Sequence, residues 1–258
     1  MRRAHVATAA ALLGVIVSVS SLAQAAKPED TAATRAQGQA LFERACLFCH
    51  GVTGQGDGPA GWFLGRYASP RPQNFTVGSF KLRSTPSGDL PTDQDLFRTI
   101  TKGIPGYMPG FASLPETARW QVVAYVKSFY PGFRTETPVP LSLVGAPTHQ
   151  LAESLDRGRA LYTSFECHTC HGIEGQGDGP VAQAGELKDA FGLSIPTANL
   201  TRPSSFKNGA SLLDLVRTLL TGLDGTPMPS YAARLSDRET DAWDLAQYIR
   251  ALSAESVP

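Results

Sequence analysis

The sequence predicts an all-α protein built from two similar halves, and three observations support this fold class. Short sequence strings recur in the same order in both halves of the 258-residue chain. Helix-start patterns of the type Ser/Thr-x-x-Asp/Glu precede apolar runs in both halves. Alternating apolar patterns, which would indicate strands, are short and lie beside prolines. With 42% hydrophobic and 18% charged residues, the composition is that of an ordinary globular protein and excludes disorder over the whole length.

The repeated strings indicate a duplication. CLFCHGVTGQGDGP begins at Cys46, and its near copy CHTCHGIEGQGDGP begins at Cys167. Upstream of them, GQALF at Gly38 matches GRALY at Gly158. Downstream, LFRTITKG matches LVRTLLTG, and WQVVAYVKSF matches WDLAQYIRAL. Because the order of the strings is the same in both halves, we predict two homologous domains.

The chain is predicted to divide into four parts. Residues 1–25 have the features of a secretory signal peptide, namely two arginines, an apolar run and an Ala-Gln-Ala cleavage site. An uncleaved membrane anchor is the alternative, although the apolar run is shorter than the roughly 20 residues of a spanning helix. Residues 26–130 and 151–258 are predicted as domains. Residues 131–150, which contain four prolines and no helical period, are predicted as a linker.

Within each half the sequence predicts short helices separated by long loops. A first helix is predicted over residues 34–46. Thr92 and Ser211, each followed three residues later by aspartate, are predicted helix starts, and Ser236 opens the last helix in the same way. Pro115 suits the first turn of the matching helix in the first half. Because each half is small and rich in loops, we expect a large apolar group at the centre of each domain.

All four cysteines of the chain lie in two C-x-x-C-H motifs. Disulfides within such short motifs would close small loops and stabilise little. A four-cysteine zinc site would leave the histidines without a role, and a thioredoxin-type motif needs a βαβ setting. The spacing is instead that of c-type haem attachment, in which two thiols form thioether bonds and the adjacent imidazole binds the iron. The residues concerned are Cys46, Cys49 and His50 in the first half, and Cys167, Cys170 and His171 in the second.

Both halves resemble class I cytochromes c, and the whole chain resembles the two-domain dihaem members of that group. The resemblance covers nearly all of the chain from Ala26 onward, apart from the linker. It implies two covalently bound haem c groups, each wrapped by a few helices of which the first and the last cross. That crossing would bring Gly38 against residues 120–125 and Gly158 against residues 243–248.

Apart from Met1, the chain contains two methionines, and they occupy matched positions. Met108 in GYMPGF and Met228 in TPMPSY each precede a proline and follow the motif histidine by 58 and 57 residues. They could be core residues that fill gaps. The resemblance implies instead that they are distal iron ligands, because class I cytochromes place their methionine in such a loop before the last helix. The predicted iron ligands are therefore His50 with Met108, and His171 with Met228.

The string GQGDGP follows both motifs. It lacks the lysine of a phosphate-binding loop, and its single aspartate offers too few ligands for calcium. By resemblance to bacterial cytochromes, we predict that the carbonyl groups of Pro59 and Pro180 accept a hydrogen bond from Nδ1–H of His50 and His171. Other polar side chains between motif and methionine are candidate partners of haem propionates: Asn74, Lys81, Arg83, Asn199, Arg202 and Lys207.

These observations predict an exported dihaem c-type cytochrome of the periplasm that transfers single electrons. His/Met ligation tends to raise a reduction potential. We therefore expect a quinol-oxidising complex or a dehydrogenase as donor, and a terminal oxidase or reductase as acceptor. Without residues 1–25 the chain has 21 basic and 23 acidic residues, which gives no support for nucleic acid or an anionic membrane surface as partner.

Two other functions stay open at the level of sequence. A dihaem enzyme of the peroxidase or thiosulfate dehydrogenase type would need one iron whose distal ligand is absent, labile or unusual, and the two matched methionine loops argue against this. A cytochrome subunit fixed in a larger respiratory complex would carry the same motifs as a free shuttle. The sequence hardly separates a fixed subunit from a free shuttle.

Overall fold

The computed structural model describes residues 27–65, 70–143, 150–235 and 240–254. The described residues form α-helices joined by long loops, with two isolated β-bridges and no strand. The predicted all-α class is confirmed. The predicted signal segment, residues 1–25, and the predicted helix start at Ser236 lie outside the described residues. Within the described residues, every helix is too short or too polar to cross a membrane.

The first half contains five α-helices among its described residues. They are α1 (Ala32–Ala45), α2 (Leu47–His50), α3 (Pro59–Gly65), α4 (Asp93–Lys102) and α5 (Glu116–Lys127). The first helix begins two residues earlier than predicted, because Thr31 is its N-cap and accepts a 3.1 Å hydrogen bond from the Thr34 amide. A turn of 3-10 helix follows α5 at Pro131–Arg134, so the predicted linker begins with helical structure.

The second half repeats this order. Its helices are α6 (Leu151–Ser164), α7 (Cys167–His171), α8 (Pro180–Gln183), α9 (Leu212–Thr221), α10 (Ala232–Leu235) and α11 (Asp241–Ala254). A short 3-10 turn at Pro203–Ser205 precedes α9. Between the halves, residues 135–143 form neither helix nor strand, and the Leu141 amide donates to the Ser84 carbonyl at 2.8 Å.

The predicted helix starts are confirmed where the structure describes them. Thr92 accepts a 3.1 Å hydrogen bond from the Asp95 amide, and the Asp95 carboxylate accepts one of 3.0 Å from the Thr92 amide. This reciprocal pair is a capping box. Ser211 accepts a 3.2 Å bond from the Asp214 amide in the same way. Pro115 lies just outside the first turn of α5, at its N-cap position.

The first and last helices of each half cross at a glycine. A Cβ atom on Gly38 would lie 1.9 Å from the carbonyl oxygen of Gln121, and one on Gly158 would lie 2.3 Å from that of Asp244. Only glycine therefore allows α1 to meet α5, and α6 to meet α11, at this distance. Aromatic pairs flank both crossings, with ring centroids 5.3 Å apart for Phe42–Tyr125 and 5.4 Å apart for Tyr162–Tyr248.

Each half has its own hydrophobic core. The first core extends from Phe42 to Val126, and Phe133 of the 3-10 turn packs against it. The second extends from Leu161 to Leu252. Because each core is closed within its own half, the two halves have the organisation of separate domains joined in tandem.

Charged and polar side chains join the two halves. Arg98 of α4 donates to Asn208 Oδ1 at 2.9 Å, and its guanidinium lies 3.7 Å from the Asp214 carboxylate of α9. The Lys102 ammonium lies 3.4 Å from the same carboxylate. Asp214 also pairs with Arg217 of its own helix at 2.7 Å. The matched helices α4 and α9 therefore meet around one buried carboxylate.

Candidate haem sites

In the first half, one helical turn carries both thiols and the imidazole of the motif. Cys46 is the N-cap of α2, Cys49 lies within it, and His50 is its last residue. The carbonyl of Cys46 accepts hydrogen bonds from the amides of Cys49 and His50, at 3.1 and 2.9 Å. Neither thiol is in a disulfide. The short helix thus presents two free thiols beside one imidazole, which is the arrangement that attachment to one edge of a porphyrin requires.

The second motif has the same helical form but a different entry. Cys167, Cys170 and His171 lie in α7, and the thiols are again free. The chain enters α7 through Glu166, whose φ of 57° is the one left-handed backbone outside glycine among the described residues. Such a conformation costs about 1 kcal/mol or more for a residue with a side chain. The matched residue in the first half, Ala45, is the last residue of α1 and has no positive φ.

Both motif histidines are hydrogen-bonded through Nδ1 to a backbone carbonyl. His50 Nδ1 lies 3.2 Å from the Gln73 oxygen, and His171 Nδ1 lies 3.0 Å from the Ala198 oxygen. A carbonyl only accepts, so Nδ1 carries the hydrogen, and in the neutral ring Nε2 then keeps its lone pair. Burial lowers the pKa of both imidazoles, and the bond to the carbonyl offsets this in part. Each ring is therefore neutral and oriented, as a metal ligand must be.

These carbonyl partners differ from the predicted ones. The prediction that Pro59 and Pro180 would supply them was wrong, because both prolines begin helices. The carbonyl of Pro180 is committed to helix α8, where it accepts from the Ala184 amide at 3.0 Å. The carbonyls that reach the imidazoles come from Gln73 and Ala198, which lie at matched positions 125 residues apart.

The shared GQGDGP string connects each motif to the segment that supplies the carbonyl. In the first half, the Gly56 amide donates to the His50 carbonyl at 2.9 Å, and the Gly54 carbonyl accepts from the Phe75 amide at 2.7 Å. Gly54 and Gly56 have φ values of 72° and 77°, which only glycine adopts readily. The second half repeats both bonds, Gly177 to His171 at 2.8 Å and Leu200 to Gly175 at 2.6 Å.

An Asn-x-Thr turn presents the carbonyl in both halves. Asn74 Oδ1 accepts from the amide and the hydroxyl of Thr76, at 2.9 and 2.7 Å. Asn199 binds Thr201 with the same two distances. This turn was not predicted, although the matched strings QNFT and ANLT contain its signal. Both asparagine oxygens serve the turn, which leaves only the amide nitrogens for the predicted propionate contact.

Two other candidate propionate partners are matched lysines between the halves. Burial lowers the pKa of Lys81, while Asp189 and Asp224 raise it. Burial and the charge of Lys81 both lower the pKa of Lys207. A haem carboxylate between these lysines would stabilise both charged forms, and their role as propionate partners stays a prediction. Arg83 differs, because protein oxygens take four of its five N–H donors.

Both methionines lie in tight loops directly after a helix. Gly103 ends α4 with a φ of 70°, and Ile104 and Met108 then exchange two backbone hydrogen bonds of 2.8 and 2.9 Å. Gly222 ends α9 with a φ of 65°, and the Leu223 amide donates to the Met228 carbonyl at 3.0 Å. The two loops therefore present their methionines from the same place in the fold.

In each half, the motif and the methionine lie against the same hydrophobic core. Cys46 and Met108 pack on the first core, and Cys167 and Met228 on the second. Burial raises the pKa of Cys46 to about 11 and also raises that of Cys167. Two half-buried thiols, an oriented imidazole and a thioether on one apolar surface therefore fit haem c in each half.

The comparison with protein families agrees with this chemistry. The model of the family described as cytochrome C oxidase, cbb3-type, subunit III matches the chain twice, over residues 33–126 and 153–249. The chain belongs to this family. Its two matches begin within α1 and α6 and end within α5 and α11, so each half is one cytochrome c domain. The family is one of electron-transfer proteins that bind haem c, as predicted.

A solved structure shows the same similarity at the level of the fold. One chain of the reducing HAO-like protein complex Kustc0457/Kustc0458 from Kuenenia stuttgartiensis is 39% identical. The alignment covers 84% of this chain and 95% of that one, with a TM-score of 0.75. No curated protein matches the chain. Since the aligned part spans both halves, the similarity includes the tandem arrangement of the two domains.

Proposed function

We propose that the chain is an exported dihaem c-type cytochrome that passes single electrons between respiratory redox partners. One observation carries the proposal: each C-x-x-C-H helix and one matched methionine loop lie against the same core. Cys46 with Cys49, and Cys167 with Cys170, would attach the two haem groups. The iron ligands would be His50 with Met108 in one domain, and His171 with Met228 in the other.

The residues of the chain would hold each haem and set its potential. Haem iron supplies a one-electron redox change when it is bound. The carbonyls of Gln73 and Ala198 orient the imidazoles of His50 and His171 and make Nε2 a better donor. A methionine thioether as sixth ligand favours a high potential. The apolar cores exclude water, which disfavours the extra charge of the oxidised state.

The proposed direction of electron flow follows from this ligation. A quinol-oxidising complex or a dehydrogenase would be the donor, and a terminal oxidase or reductase the acceptor. Two domains in one chain allow electrons to enter at one haem and leave from the other. The signal-like residues 1–25 support export to the periplasm.

A second candidate is a cytochrome subunit held permanently in a larger oxidoreductase complex. The similar solved chain, which belongs to a protein complex, favours this possibility. Size-exclusion chromatography of the natively expressed protein separates the two candidates. A free shuttle elutes alone, at the mass of one processed chain with its cofactors, whereas a fixed subunit elutes with partner chains.

The ligation is tested by the haem content and the oxidised absorption spectrum of the purified protein. We expect two haems per chain and a weak long-wavelength band from methionine sulfur on both ferric irons. Met108→Ala and Met228→Ala should each remove one share of this band, and the double variant should remove all of it. A wild-type band that only one methionine supports would mean one open iron, and the dihaem enzyme would then be the better reading.

A further inference from the structure

The first half contains a loop that the second half lacks. The offset between matched residues is 126 at Phe80 and Phe206 but 119 at Asp95 and Asp214. The first half is therefore seven residues longer between these points. We call residues 81–92 the long loop. Its polar groups contact the second domain near the methionine of that domain.

Arg83 of the long loop is fully buried and joins the two domains. Its Nε and Nη1 donate to the carbonyls of Pro86 and Phe80, at 3.0 and 2.8 Å. Its Nη2 donates to the Thr221 carbonyl at 2.8 Å and to Asp224 Oδ1 at 2.7 Å. Thr221 is the last residue of α9, so the guanidinium also satisfies a carbonyl at a helix C-terminus, where a cation is favoured.

The hydrogen bonds that Asp224 receives from the described residues come from the long loop. Besides Arg83, Ser87 Oγ donates to its Oδ1 at 2.7 Å, and the Gly88 amide donates to its Oδ2 at 2.9 Å. Charge-assisted bonds of this kind are stronger than bonds between neutral groups. The carboxylate is thereby held at both oxygens by the neighbouring domain.

Asp224 lies in the loop that presents Met228. It follows Leu223, whose amide closes the loop on the Met228 carbonyl at 3.0 Å, and it precedes the methionine by four residues. The Met228 amide donates to Thr226 Oγ1 at 3.2 Å, so the loop has a second internal contact. Because Asp224 directly follows Leu223, fixing its carboxylate restricts the backbone beside the amide that closes the methionine loop.

Among the described residues, no carboxylate or guanidinium restrains the methionine loop of the first domain in this way. Pro105 occupies the position of Asp224, and the segment from Gly103 to Met108 contains no carboxylate. One contact with the second domain is the Lys207 ammonium 5.0 Å above the ring of Tyr107, which is half exposed. The two methionine loops thus share the backbone bond that closes them, Ile104 to Met108 and Leu223 to Met228, but differ in their support from outside.

We propose that Arg83 and Asp224 are positioning residues for Met228, through which the first domain holds the sixth ligand of the second. The inference rests on the proposed His/Met ligation and deepens it. Without the pair, the Met228 loop keeps its internal bonds but loses its external restraint. Met228 then leaves the iron more often, and a competing ligand binds there more readily. The Met108 site is unaffected.

The experiment uses the haem-loaded full chain and imidazole as the competing ligand. In Asp224→Ala, we expect imidazole to bind the oxidised second haem about tenfold more tightly or more, the range typical when support of a metal ligand is lost. In the Asp224→Ala chain, adding Met228→Ala should remove less of the long-wavelength band than it removes from the wild type. Adding Met108→Ala should remove the same amount from both. Asp89→Ala is the matched control, because it removes an exposed carboxylate from the same loop.

A milder variant guards against failure to fold. Ser87 is exposed, and Ser87→Ala removes one bond to Asp224 while the charge pair remains. It should shift the imidazole affinity in the same direction by a smaller factor. Affinities equal to the control in both variants would overturn the proposal and reduce the pair to an ordinary domain contact. A wild-type band that Met228→Ala leaves unchanged would refute the proposed ligation itself, and the positioning role with it.

Discussion

The two domains share the backbone hydrogen bonds of their haem sites but differ in the side chains around them. In the first domain, the ring of Phe75 stacks on His50 with 4.6 Å between centroids, and Phe42 lies 6.3 Å from the same imidazole. The matched positions in the second domain are Leu200 and Tyr162. The phenylalanine-rich surroundings of the first site thus become a mixed aliphatic and tyrosine environment in the second.

The comparison separates the features that are needed to place the imidazole from the packing side chains, which can vary. The bond from the imidazole to a carbonyl and the glycine turn that supports it are present in both domains. The packing side chains are different, and one polar group is added in the second domain, where Tyr162 donates to the Gly172 carbonyl at 2.7 Å. Since polarity near a haem tunes its potential, we expect the two proposed haems to have different potentials.

The largest effect should come from the glycines where the terminal helices cross. Gly38→Ala and Gly158→Ala force a backbone carbonyl away, which should lower the free energy of unfolding by about 1–3 kcal/mol or more. The effect should be greater for Gly38, where the Cβ would lie 1.9 Å from the Gln121 oxygen. Denaturant unfolding followed by haem absorbance measures it. Exposed Gln39→Ala on α1 is the control, and a loss no larger than in this control would show that the helices separate easily.

The second effect concerns the polar groups at the same crossings. Asp244 is fully buried and accepts from Arg157 at 2.9 Å and from Ser154, whereas the matched Gln121 binds Gln37 at the surface. Asp244→Ala should cost about 1.5–3 kcal/mol of unfolding free energy, as charged hydrogen bonds are lost. Gln121→Ala should stay within about 0.5 kcal/mol, as exposed substitutions do. Thermal unfolding of both variants measures the two losses of unfolding free energy, and equal losses would contradict this comparison.

Local patterns predicted the helices well, because their signals lie within a few residues of their effects. Thr92 and Ser211 cap helices as predicted, and Gly38 and Gly158 mark the crossings. The duplication strengthened these predictions, because a feature that occurs twice at matched spacing rarely arises by chance. Spacing alone failed for the imidazole partners, because the carbonyl that meets His50 comes from 23 residues away.

The contacts between the domains were beyond the reach of sequence reasoning. Arg83 was predicted as a propionate partner from its position between motif and methionine, yet its guanidinium binds Asp224, 141 residues away. Such a pair depends on how the two domains pack, and neither residue belongs to a repeated string. The available signal was the difference in length between the halves. An insertion in one of two repeats marks a segment that the shared domain fold does not require.

A third effect tests the hydroxyl that distinguishes the second site. Tyr162→Phe removes one bond from the Gly172 carbonyl, which keeps a 3.2 Å bond from the Gly175 amide. Because a partner remains, the loss should be about 1 kcal/mol of unfolding free energy, the net value of one hydrogen bond. Thermal unfolding measures the change, with half-exposed Tyr107→Phe as control. The reduction potential assigned to the second haem should also shift, and the first should not. A shift of both potentials would contradict the idea that each core tunes its own haem.

The smallest effect is the dependence on pH that one carboxylate of the first domain contributes. Burial would raise the pKa of Asp93, but hydrogen bonds from Lys127 and Lys27 outweigh it and hold this pKa below its usual range. A carboxylate with a lowered pKa stabilises the folded state fully above its unfolded pKa of about 3.9, and the contribution is lost as pH falls through the folded value. Leu212 takes the matched position in the second domain.

Asp93→Asn should therefore cost under about 1 kcal/mol near pH 6, and the gap to wild type should close as the pH falls below 4. Unfolding of the two proteins across this range checks the prediction, and a gap that stays constant with pH would assign the effect to packing rather than to charge.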